Sequence, residues 1–112
     1  MKKSLFLITT LVFVVACGST KFITPSETDV RRGKNSYSTL TLQQLTQGQQ
    51  IYQTYCSKCH PYKKPTSRSA MEWQTVIPEM TVKTNHKFGN VIDASQQEAL
   101  MRYVTVMATA SK

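Results

Sequence analysis

The sequence predicts an all-α domain. Three stretches repeat their apolar residues at helical spacing, two of them open on a Ser-x-x-Glu capping box, and no run alternates as a strand would. The first helix is expected over about 41–55. There Leu45, Gly48, Tyr52 and Tyr55 share one face, and Thr39 or Thr41 supplies the N-cap. A mid-helix glycine costs about 1 kcal/mol against alanine, so Gly48 points to close packing by another helix. The second helix opens at Ser69, with Glu72 three residues on, and carries Trp73, Val76, Ile77 and Met80 at i, i+3, i+4 and i+7. Pro78 removes a donor and disfavours helical geometry at Ile77, so a kink or an end is expected near Ile77. A polar loop, "TVKTNHKFGNVI", should come next. The third helix lies in "DASQQEALMRYVTVMATA", with Ser95 and Glu98 as its box and Leu100, Tyr103, Val104 and Met107 as its stripe.

A chain of 112 residues has room for one domain, and its start is not domain. Residues 1–16, "MKKSLFLITTLVFVVA", run from a basic start through an apolar stretch to a small residue. That is the order of an export signal, and the stretch is too short and too broken by Thr9 and Thr10 for a spanning helix. The run "VVAC" resembles the lipobox of bacterial lipoproteins. The resemblance implies cleavage before Cys17, a diacylglycerol thioether on its sulfur and a further acyl chain, such as palmitate, on its amino group. Each buried methylene contributes about 0.8 kcal/mol, so two or three chains hold a protein on a membrane where one does not. Residues 17–38 have no periodic apolar face and are expected to form a flexible linker. Residues 39–112 are the expected domain. Such a small domain needs a staple beyond its own core.

The candidate staple is "YCSKCHPYKKP", Tyr55 to Pro65. Cys56 and Cys59 are separated by two residues and His60 comes directly after. Three chemistries use such a run. A redox dithiol needs the motif to open a helix after a strand, yet "LQQLTQGQQIYQTY" before it reads as helix. Zinc wants four ligands, and only Cys56, Cys59, His60 and the distant His86 are at hand, with no second C-x-x-C. In covalent haem attachment the two thiols add across the two vinyl groups along one porphyrin edge, and the next residue reaches the iron. With Cys17 lipidated, the odd cysteine count is settled equally by a haem bonded to the other two or by a Cys56–Cys59 disulfide, so the count alone does not choose.

Taken together, a helix with Gly48 and Tyr52 running into "YCSKCH", a Trp-then-Met helix, a loop and a last helix carrying "LMRYV" resemble the class I cytochrome c domain. The resemblance covers about 42–108. It implies three to four short helices wrapped around one covalent haem c, with Gly48 on the first helix meeting Tyr103 on the last. It also implies a one-electron carrier, or an electron-transfer subunit of an oxidoreductase, with Cys56, Cys59 and His60 holding the haem.

Methionine is the usual sixth ligand of such a carrier, and His/Met ligation raises the potential relative to His/His. Met101 and Met107 lie inside the last helix, and Met71 lies off the apolar face of the second. Met80, twenty residues after His60 and just past Pro78, is the expected ligand. Many members of the family place theirs nearer the final helix, where this chain offers only His86. An open iron site with His86 as a distal base would instead suit a haem sensor or a peroxidase-like protein.

The formal charge is +8, and +6 without Lys2 and Lys3 of the signal. Lys58, Lys63, Lys64, Arg68, Lys83 and Lys87 flank the motif and the loop, a basic rim that would steer redox partners with acidic docking surfaces. An exported lipoprotein has no role for nucleic acid. The expected location is a bacterial membrane, facing the periplasm, and Gly18 rather than Asp after the cysteine favours the outer one by analogy with lipoprotein sorting. No acid/base pair or phosphate loop suggests catalysis.

Overall fold

The computed structural model describes residues 23–110. The expected signal over residues 1–16 and the lipid site at Cys17 lie outside the described residues. Among those described, the fold is all-α: α1 (Glu27–Gly33), α2 (Leu42–Tyr55), a 3-10 turn (Pro65–Ser67), α3 (Ala70–Phe88) and α4 (Ala94–Ala108). No helix among them is long and apolar enough to cross a membrane.

Helix α4 is the centre, with α2 and α3 both packed on it. Its stripe of Leu100, Tyr103, Val104 and Met107 is fully buried together with Tyr52, Trp73, Ile77 and Ile92. Burial of one such side chain contributes roughly 1.5–3 kcal/mol, so this stripe is the main source of cohesion. The α2–α4 approach depends on Gly48. A Cβ there would stand 2.2 Å from the Ala99 carbonyl oxygen and 2.5 Å from Tyr103 Cβ.

Helix α2 starts where expected. Thr41 Oγ1 accepts from the Gln44 amide at 3.2 Å, and Gln44 Oε1 accepts from the Thr41 amide at 3.1 Å. The Ser69–Glu72 box likewise opens α3, with the Ser69 amide donating to Glu72 Oε2 at 2.7 Å.

Three expectations are corrected. Helix α3 neither ends nor breaks at Ile77; it continues through Pro78 to Phe88, and the loop begins only at Gly89. An interior proline costs about 3 kcal/mol, but the buried face continues beyond it through Thr81 and Thr84. Asn85 then clamps the adjoining loop, donating to the Ile92 carbonyl at 2.8 Å and accepting from the Ile92 amide at 2.9 Å. Gly89, at φ 80°, takes the left-handed turn that glycine allows. The α4 box is Asp93–Gln96 rather than Ser95–Glu98, with the Gln96 amide donating to Asp93 Oδ1 at 2.8 Å. Glu98 is engaged one turn further on, by Arg102. Finally, residues 23–38 are not a flexible linker. They contain α1, and Val30 is buried with Leu40, Leu45 and Val106 in a second small core.

Candidate functional site

Helix α2 stops at Tyr55, and Cys56 is its C-cap, its amide still donating to the Tyr52 carbonyl. The chain then turns through Ser57–His60 across the end of the helix. Two aromatic donors of the core fix its path from there. The Tyr52 hydroxyl donates to the Lys63 carbonyl, and Trp73 Nε1 donates to the Pro65 carbonyl at 2.7 Å. A buried tyrosine or tryptophan must place its polar end somewhere, and here both ends pin the segment after His60. Tyr52 stands edge-on to Tyr62 and to Trp73, with centroids 5.4 Å and 6.1 Å away.

Between this segment and α3 lies a cavity of about 300 Å³. Cys56, Cys59, His60 and Met80 all line it. The thiols and the imidazole come from the turn after α2, while Met80 comes from α3. Tyr52, Trp73 and Ile77 form apolar wall, whereas Lys63, Arg68 and Lys83 bring positive charge, and no carboxylate lines the space. The volume sits at the low end of the range for small-molecule pockets.

Each donor has a distinct environment. Cys56 is half-buried; burial, with the nearby Cys59 sulfur adding to it, pushes its thiol up to about 12. Cys59 is exposed, with Lys87 Nζ 3.9 Å from its sulfur. His60 Nδ1 lies 3.0 Å from the Pro61 carbonyl oxygen, which can only accept. In a neutral ring that contact puts the proton on Nδ1 and the lone pair on Nε2. Lys58 Nζ sits over the Tyr55 ring at 5.2 Å and the Phe88 ring at 5.1 Å, tying the motif to the end of α3.

The geometry disfavours the two other chemistries of the run. A dithiol nucleophile is activated at a helix N-terminus, but Cys56 sits at a helix C-terminus, where the dipole opposes a thiolate, and its thiol is raised. Among the described residues no three His, Cys, Asp or Glu side chains gather closely enough to hold a metal ion, as a zinc site would require.

Of the other candidate ligands, His86 is exposed and does not line the cavity. Met71 is 79% exposed, Met107 is core, and Met101 packs against the core. The pinning roles of Tyr52 and Trp73 and the cavity position of Arg68 were not read from the sequence. The signal available was two aromatic donors on apolar faces with a Pro-bounded polar segment between them. No protein-family model, curated protein or solved structure matches the chain.

Proposed function

We propose that this chain is a monohaem c-type cytochrome of the class I kind, anchored to a membrane through Cys17 and carrying one electron at a time. One observation carries the proposal: two thiols, an imidazole with a free Nε2 and a thioether line a single cavity with apolar walls. The donor set fits a covalent haem. The sulfurs of Cys56 and Cys59 need to reach the edge of a porphyrin and not its metal, so their failure to converge is no obstacle. The cavity is smaller than a whole porphyrin, so part of the ring would stand in its open mouth, where Cys59 and His60 are exposed.

When bound, the haem would supply an iron that takes up and gives back one electron. The chain's own residues do the rest. Cys56 and Cys59 would hold the group, each thiol adding across one vinyl group with its proton passing to the neighbouring carbon, so that no oxidant or reductant is needed. His60 Nε2 and Met80 would hold the iron, and the contact of His60 Nδ1 with the Pro61 carbonyl orients the imidazole for that role. Trp73 and Ile77 keep water from the inner wall, while Lys63, Arg68 and Lys83 offset the haem carboxylates. The reading this set supports best is a carrier or an electron-transfer subunit of an oxidoreductase.

An alkaline pyridine spectrum tests this on protein produced with haem-maturation machinery. The expected result is one covalent c-type haem per chain. Its absence refutes the proposal.

A further inference from the structure

Residues 23–40 are the part of the fold least visible in the sequence pattern, and they decide where the domain can stand. The Ile23 carbonyl oxygen accepts from Gln49 Nε2 at 3.1 Å and from the Tyr103 hydroxyl at 3.3 Å. Gln49 is buried on α2 and Tyr103 on α4, so the chain is fixed at Ile23 to the two helices that meet at Gly48. The Ile23 side chain packs on the main core, and Pro25 is buried. Further on, Arg32 bonds Asp29 Oδ1 at 2.6 Å, the Val106 carbonyl at 3.2 Å and Thr109 Oγ1 at 3.1 Å. Gly33 is pressed close, since a Cβ there would stand 2.4 Å from Leu40 Cδ2 and 2.8 Å from Val106 Cγ2. The segment is a strap closed along its length.

We propose that this strap holds the domain directly on the lipid surface, because it leaves only residues 18–22 between the acyl-bearing Cys17 and the fixed Ile23. The inference rests on the lipid at Cys17 proposed above. Its bound comes from covalent geometry alone. Six Cα steps of at most about 3.6 Å span no more than about 22 Å, whatever conformation those five residues take. A free linker as far as Thr39 would reach about 79 Å at the same step. A domain of this size is about 30 Å across, so the tether is shorter than the domain is wide. The domain cannot swing out to a partner standing off the membrane. Its electron partner must come to a domain held at that surface.

Neutron reflectivity from a supported phosphatidylcholine bilayer carrying the full acylated holoprotein measures the gap between headgroups and protein. Neutral lipid removes attraction of the basic chain as a cause of contact. The expected gap is under about 22 Å, and twenty Gly/Ser residues inserted after Gly18 should widen it, toward about 28 Å for a flexible coil of that total length. Equal gaps for the native and lengthened chains overturn the proposal. Hydrogen exchange on the soluble Cys17→Ser holoprotein tests the strap without lipid. Protected amides over 30–34 are expected, and exchange at free-chain rates there refutes the strap. Should the native chain wash off the bilayer as Cys17→Ser does, the anchor itself is refuted and the membrane placement falls with it, while the exchange result still judges the strap.

Discussion

Gly48→Ala is the substitution whose outcome the helix crossing determines most sharply. On helix propensity alone it should stabilise by up to about 1 kcal/mol, since glycine is a poor residue in mid-helix. At this position the new methyl would lie 2.2 Å from the Ala99 carbonyl oxygen, which is backbone and cannot rotate away. To restore an ordinary 3.4 Å contact, α2 and α4 must separate by about 1.2 Å. The separation loosens the contact between Tyr52 and Tyr103, whose rings lie 5.9 Å apart, and strains the main core. Overpacking of this kind costs roughly 1–3 kcal/mol, which outweighs the propensity gain and leaves a net loss of about 1–2 kcal/mol. The whole domain holds on the order of 5–10 kcal/mol, so Tm should fall by about 5–10 °C. The measurement is thermal unfolding of the haem-loaded protein by far-UV circular dichroism, beside Gln50→Ala at an exposed site on the same helix. If Gly48→Ala melts at or above the wild type, the close crossing does not exist as described.

Met80→Ala should abolish the weak far-red absorption of ferric sulfur-ligated haem; an unchanged spectrum would assign the sixth position elsewhere. Carbon monoxide should bind the reduced wild type slowly and the Met80→Ala protein rapidly, since only the variant leaves the iron open. Trp73→Phe leaves the Pro65 carbonyl without its buried donor and should cost about 1–3 kcal/mol by chemical denaturation, with no loss of covalent haem. Electron transfer to an acidic partner should slow steeply between low and high ionic strength, and a flat rate would remove the basic rim from the encounter. Asp29 gives a pH signature: burial raises its carboxyl, but the bonds from Arg32 and Ser26 outweigh this and hold it below the ordinary carboxylate value. The unfolded chain therefore takes up that proton more readily. The contribution is fully present above about pH 4, near the unfolded value, and is lost as pH falls through the folded one. Asp29→Asn should flatten that acid limb in urea titrations at pH 2–5, and a limb of unchanged slope would show that Asp29 does not set it.

Much of the frame was legible locally. Helix α2 was visible with its Thr41 cap, α3 with its Ser69 box, and α4 through its stripe, because capping and helical period involve residues three or four apart. The Cys56, Cys59 and His60 spacing is equally local. Gly48 was legible for a different reason: a glycine that weakens its own helix implies a neighbour that needs the space.

The features beyond local signals are those that distant contacts decide. Val30 sits in a stretch without apolar period and looks like linker, yet Leu40, Leu45 and Val106 bury it and turn that stretch into a strap. Pro78 reads as a stop, but the face on both sides of it is covered, and Thr81 and Thr84 carried that face in residues too polar to reveal it. Asp93–Gln96 and Ser95–Glu98 are both valid boxes in sequence; only the placement of Glu98 beside Arg102 and of Gln96 beside Asp93 separates them. That Met80 and His60 line one cavity belongs here too. Sequence by itself determined α2, the starts of α2 and α3 with their caps, the buried stripe of α4 and the donor types, since those depend on neighbours along the chain. Tertiary structure decided which donors share a cavity and where the chain is strapped, because burial depends on residues that are far apart in sequence and close only after folding.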